Sequence, residues 1–214
     1  MNNKLKIIAL FIIIFHGSFI VAQKDWKLVK EKNGIQVFTK STDHFDFKTF
    51  KAHIILDASV QSFVAVLNDI EYFKDWGYKI KESSLLKRKG DSVQIYYSVA
   101  KAPFPYKNRD GIYLNRFKWT SNNNTLWVDI EILDDYLDVK NNLVRVKGQG
   151  FWKVIVLPIG QLDITFQMQL DPGGNVPAWM ANIFVDDSPY YTLLNLKEVI
   201  KNNKYQGQKF NFID

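Results

Sequence analysis

The residues of this chain that could do chemistry are few and scattered. Beyond the apolar N-terminal segment the histidines are His44 and His53, nine positions apart on or near early strands. That is not the spacing of a helical metal pair, and each reads as a surface or strand histidine. The acidic doublets Asp134-Asp135 and Asp186-Asp187 fit no calcium-loop pattern and read as turn or helix-surface residues. The absence of cysteine excludes disulfides, thiolate metal sites and thiol nucleophiles. No nucleophile elbow, P-loop or dinucleotide fingerprint occurs. The sequence therefore points to no catalytic residue, metal or cofactor, and the chain reads as a non-enzyme.

Arg109-Asp110 is the remaining charged pair of interest. Adjacent strand residues point to opposite faces, so the two cannot line one pocket together. The plainer reading is an arginine that tethers a loop through ion pairs or backbone carbonyls, with Asp110 similarly satisfied.

What the chain has in abundance is apolar surface. Its 214 residues are 47% hydrophobic and 15% aromatic, enough for one domain with a sizeable core and too apolar for disorder. Residues 1–22 read as a signal peptide. Lys4 and Lys6 precede an apolar run over 7–15, and small residues follow before a cut ahead of Gln23. Removing those two lysines lowers the formal charge from +6 to +4, a mild balance compatible with anionic membrane surfaces and too diffuse for nucleic acid. The expected protein is exported, periplasmic or secreted, with one domain over 23–214.

Several elements can be placed by periodicity. A short helix is expected over 24–32, ending at Asn33-Gly34, then two paired strands around 35–40 and 45–56. Ser59 caps a helix over 59–76 whose apolar face is Phe63, Val66, Leu67, Ile70 and Phe73. A meander of strands follows at 80–87, 92–101, 111–120, 126–134, 143–157 and 161–170. The last alternates most cleanly, with Leu162, Ile164, Phe166, Met168 and Leu170 on one side. After the turn at 171–174, Asn175 can cap a terminal helix reaching about residue 205, kinked near Ser188 by Pro189. Spacing alone fits a helix closing an ordinary core. Trp119, Trp127 and Trp152 likewise fit either a filled core or a cavity wall.

Three boxes then stand in an order that resembles the StAR-related lipid-transfer (START) domain. Asp171-Pro172-Gly173-Gly174, with Pro177, Trp179 and Asn182 behind it, resembles that family's last-strand-to-last-helix junction. The run from Pro103-Phe104-Pro105 to Arg109-Asp110 resembles its Pro-rich loop leading into an Arg-Asp strand. The opening from Trp26 to Phe38 resembles its start. The resemblance implies an α+β helix-grip fold: a curved antiparallel sheet wrapped around a long C-terminal helix, with an internal hydrophobic cavity. It implies a ligand-binding wall of Ile130, Ile164, Phe166 and Met168, faced by Trp179, Met180, Ile183 and Phe184 from the helix. Some sterol-binding members carry a carboxylate–arginine pair inside the cavity. That arginine's position falls on Asn115, with Arg116 one step later, so no sterol anchor is implied.

The expected function is binding of a lipid or other hydrophobic small molecule as carrier, transfer protein or sensor. A monomer is expected, without nucleic acid. Lys79, Lys81, Lys87, Arg88 and Lys89 are candidates for transient membrane contact, although solvated strand and loop lysines are the plainer reading. Two alternatives remain: an enzyme of the same broad fold acting on a hydrophobic substrate, and a non-lipid interaction module with a filled core.

Overall fold

Asn33 and Gly34 set the first turn. In the computed structural model, which describes residues 26–42, 45–177 and 183–213, their φ angles are 56° and 77°. Two consecutive positive φ values make the tight turn whose twist suits a hairpin. It joins β1 (Lys27–Lys32) to β2 (Ile35–Thr42), with Lys32 opposite Ile35. The helix expected over 24–32 is thus a strand from Lys27 onward. The Asn-Gly pair acts as a hairpin turn and not as a helix cap, and an isolated helix of this length would be marginal in water.

β3 (Phe45–Asp57), β4 (Ile80–Lys89), β5 (Val93–Ala100), β6 (Asn108–Thr120), β7 (Thr125–Ile132), β8 (Leu143–Arg145), β9 (Lys147–Val156) and β10 (Gln161–Asp171) complete a ten-stranded sheet. Its order is β1-β2-β3-β10-β9-β7-β6-β5-β4, with β8 lying parallel beside β6. The strand expected over 143–157 is therefore two. Before the break it pairs with β6, and after it with β7 and β10. Both sheet edges carry lysines, Lys27, Lys30 and Lys32 on β1 and Lys81, Lys87 and Lys89 on β4, which oppose edge-to-edge association.

Asp110 and Arg145 pin the connection between β7 and β8. Arg145 donates from Nε and Nη2 to the two Asp110 carboxylate oxygens at 3.1 and 3.0 Å. Its Nη1 donates to the carbonyls of Asp134 and Leu137. The aspartate is therefore satisfied away from Arg109, as strand geometry requires.

The helices lie against the inner face of the sheet. Ser59 accepts from the Ser62 N–H at 3.0 Å and caps α1 (Val60–Asn68). The single helix expected over 59–76 breaks at Asp69, whose φ of −86° and ψ of 66° are not helical. A 3₁₀ turn (Ile70–Tyr72) and α2 (Phe73–Trp76) follow. The Asp69 carboxylate accepts from Lys204 Nζ and the Tyr205 hydroxyl, tying the C-terminal segment to the end of α1.

The terminal helix is described from a π-type turn (Ile183–Asp187) into α3 (Ser188–Val199). Pro189 stands in the first turn of α3, where its missing N–H costs no helical bond. The irregularity expected at Ser188 is thus a change from π to α geometry. Val176 and Pro177 have no regular structure, and the expected helix start over 178–182 lies outside the described residues. Phe63, Val64 and Val66 of α1 and Leu193 and Leu196 of α3 pack with Ile54, Leu126, Val128, Val154, Leu162 and Ile164 of the sheet.

Candidate ligand-binding site

One half of the space between sheet and helices is filled and the other is hollow. The hollow has a volume of about 140 Å³, room for on the order of ten waters at the one-probe-sphere scale and far beyond an ordinary packing void. Its sheet wall is Tyr113 and Asn115 of β6, Ile130 of β7, Trp152 of β9, and Phe166, Met168 and Leu170 of β10. Val66 and Leu67 of α1, Ile70, Phe73 and Trp76 form the opposite wall, and Ser188 and Thr192 of α3 close one side. Trp152 and Phe166 stack at 3.9 Å between centroids and 7° between planes, with Phe50 edge-on to Phe166 at 5.3 Å. These large rings brace one another and make a flat, stiff wall.

Away from Arg109, the inward groups on β5 and β6 include neutral polar side chains. Tyr96 and Tyr113 stack at 5.1 Å, and burial raises both hydroxyls well above the usual tyrosine range, so both stay protonated. Ser98 lies beside them on β5. Asn115 Oδ1 and Trp76 Nε1 are buried without a hydrogen-bond partner, an acceptor and a donor left in the walls of one cavity. Buried polar groups are nearly always paired, so these two suit a ligand with polar atoms of its own.

Basic residues gather at one end. Ala100 pairs with both Ile80 and Arg109, and the Lys101 N–H donates to the Lys79 carbonyl at 2.8 Å. Lys79, Lys101 and Arg109 therefore stand together across three neighbouring strands, and all three line the cavity. Arg109 is 3% exposed. Its Nε, Nη1 and Nη2 donate to the carbonyls of Pro172, Lys107 and Gly173. The tethering role expected for this arginine holds: it fixes the turn after β10, where Gly173 and Gly174 both take positive φ.

Of the residues expected in the wall, Ile130, Phe166 and Met168 line the cavity. Ile164 faces the same way but packs in the filled half, fully buried. Trp179 and Met180 lie outside the described residues, as do the side chains of Ile183 and Phe184. Trp152 belongs to the wall, whereas Trp127 lies against Phe151 on the outer face. Sequence reasoning missed Trp76, Tyr96, Tyr113 and the basic end. The inward row Gln94, Tyr96 and Ser98 was legible as alternation, but nothing in it distinguished wall from core. His53 Nε2 lies 2.9 Å from Asp163 Oδ1, away from the cavity, and His44 is outside the described residues. Among the described residues no group of three His, Cys, Asp or Glu could hold a metal.

α3 is clamped to the first hairpin. Lys30 Nζ contacts Asp187 Oδ1 at 2.6 Å and lies over the rings of Tyr190 and Tyr191. Asn33 Nδ2 donates to the Tyr190 hydroxyl, and Tyr78 stacks on Tyr191 at 4.7 Å. The neighbouring Asp186 is different: burial, with Asp187 beside it, raises its pKa despite Lys48 and Lys30. A carboxyl with a raised folded-state pKa favours the fold when protonated, and that stability is lost as pH rises through the folded value. Asp186→Asn is expected to raise the melting temperature slightly at pH 7. The gain should vanish near pH 3, where the carboxyl is protonated in both states; a gain unchanged across that range would contradict the assignment.

The START domain family model matches residues 19–189. A STAR-related lipid transfer protein from Xanthomonas axonopodis superposes with a TM-score of 0.76 at 31% identity, covering 83% of this chain and 99% of that one. An uncharacterized protein of Pseudomonas aeruginosa is 27% identical over 198 residues, 92% of this chain and 97% of its own length. The human phosphatidylcholine transfer protein is 28% identical over 169 residues, 76% of this chain and 77% of its own. With the helix-grip sheet and its hollow, these matches lead to one conclusion: the chain belongs to the START domain family.

Proposed function

We propose that this protein binds one lipid or other hydrophobic small molecule in the cavity and carries it outside the cytoplasm, as a monomer and without catalysis. The observation that carries this reading is the hollow itself, walled by aromatic and aliphatic side chains and lined at one side by neutral polar groups. Ten methylenes moved from water into such a space are worth about 8 kcal/mol, an affinity that needs no reactive group. The names of the human and Xanthomonas relatives support transfer of a lipid. Transient membrane contact is supported by Phe104, 97% exposed on the loop between Lys101 and Lys107. An exposed aromatic ring flanked by cations suits an interface with anionic headgroups. The N-terminal pattern of Lys4, Lys6 and the apolar run supports export.

The expected result is a monomer carrying a stoichiometric, solvent-extractable lipid when protein purified from its own source is measured by native mass spectrometry. The same spectrum should give a mature chain beginning at or close to Gln23. Protein that is consistently ligand-free and takes up no lipid would overturn the carrier reading. Intact Met1 on soluble cytoplasmic protein would overturn export alone.

A further inference from the structure

The cavity's charges are one-sided. Lys79, Lys101 and Arg109 line it, and among the described residues no aspartate or glutamate does. Acids on the neighbouring strands and turns are already engaged. Asp110 pairs with Arg145, Glu82 with Lys81, and Asp134 with Lys147. Asp171 accepts from the Gly173 N–H. None of the three lining cations has a carboxylate within ion-pair distance among the described residues. Arg109 is the most telling, because its guanidinium is buried with only neutral carbonyls around it. Three of its five N–H groups are donated to those carbonyls, leaving two. A buried cation is normally matched by an anion. The pairing of β4, β5 and β6 holds the three groups within a width of about 10 Å, two strand spacings. Deeper in, Tyr96, Ser98, Tyr113, Asn115 and Trp76 are uncharged and the sheet wall beyond them is apolar.

We propose that the ligand is an anionic amphiphile, its hydrocarbon lying along the Trp152–Phe166–Met168 wall and its carboxylate or phosphate held at the basic end by Lys79, Lys101 and Arg109. The inference rests on the lipid-binding reading and adds the charge of the headgroup. A neutral amphiphile would leave the three cations unmatched. A zwitterionic headgroup would bring its own cation beside them, where no carboxylate of the lining offsets it. Two amphiphile classes share the required chemistry, fatty carboxylates and lipids with a phosphate monoester.

The test uses delipidated full-chain protein and matched competitors in native mass spectrometry. One pair is oleate and oleyl alcohol. The other is dioleoylphosphatidate and dioleoylglycerol, with dioleoylphosphatidylcholine as the zwitterion and inorganic phosphate as the headgroup alone. In at least one pair the anion is expected to bind ten-fold or more tightly than its neutral partner, and the pair that shows it identifies carboxylate or phosphate. The preference should shrink as salt is raised. Lys79→Gln combined with Lys101→Gln should cut it at least three-fold by weakening the anions more than their neutral partners; both side chains are exposed, so the fold is not at risk. Equal binding of anionic and neutral partners, or tighter binding of phosphatidylcholine, would overturn the headgroup assignment and leave lipid binding intact. Competition by inorganic phosphate at the lipids' own concentration would make the basic end a free-anion site and overturn the amphiphile. Failure of every amphiphile to bind would overturn the lipid-binding reading and this inference with it.

Discussion

Arg145→Ala is expected to destabilise the protein by about 3–5 kcal/mol, because it strands a buried carboxylate. The side chains of Arg145 and Asp110 are 6% and 1% exposed, so water cannot replace the lost guanidinium. Asp110 would be left beside Tyr97, whose hydroxyl is already pushed up to about 12 by burial and by that carboxylate. The variant also frees the 133–142 connection, which Arg145 holds through the carbonyls of Asp134 and Leu137. Replacing both partners, Arg145→Met with Asp110→Leu, removes the stranded charge and should recover much of the loss. The remainder is the loop tether, about 1 kcal/mol for each net hydrogen bond. Urea denaturation of the two variants decides it. A single variant within 1 kcal/mol of the parent would mean that the pair is not a desolvated one.

Met168→Trp is expected to abolish most ligand uptake, ten-fold or more, while changing stability by less than about 1 kcal/mol. The added ring can enter the space that Met168 borders, whereas in a packed core the same enlargement costs about 1–3 kcal/mol. Ile164→Trp supplies the contrast. It sits four positions back on the same face of β10, fully buried among Ile54, Val154 and the helices. There the larger ring should destabilise by about 1–3 kcal/mol or more. Uptake of a fluorescent lipid and denaturant melts, measured on both variants, separate the hollow half from the filled half. Equal destabilisation at both positions would show that Met168 borders no usable space.

Much of this architecture was legible from local pattern. The alternation over 161–170 assigned the inner face of β10 correctly, because a strand's side chains reverse with every residue and one face meets water. Ser59 marked the start of α1, since a hydroxyl there satisfies an otherwise open N–H. Asn33-Gly34 is legible as a stop, and its local chemistry fits a helix end. The same pair serves a hairpin equally well, and only the partner strand β2 decides between them. The broken helix at Asp69 and the interruption at Val146 were hidden for a similar reason. Each is stabilised by a distant group: Lys204 and Tyr205 in one case, and the Asp110 carbonyl, which accepts from the Val146 N–H, in the other.

By itself the sequence determined the helix-grip order of elements and the inward side of Ile130, Ile164, Phe166 and Met168, because period and turn chemistry are properties of neighbouring residues. Only the tertiary structure decided that Ile164 closes the core while Phe166 and Met168 face free space. Whether an inward side chain meets a neighbour or a void depends on what the opposite wall brings across, and how closely. The same holds for the basic end. Lys79, Lys101 and Arg109 are separated by 22 and 8 positions in the chain, and it is the antiparallel register of β4, β5 and β6 that sets three like charges side by side with no acid between them.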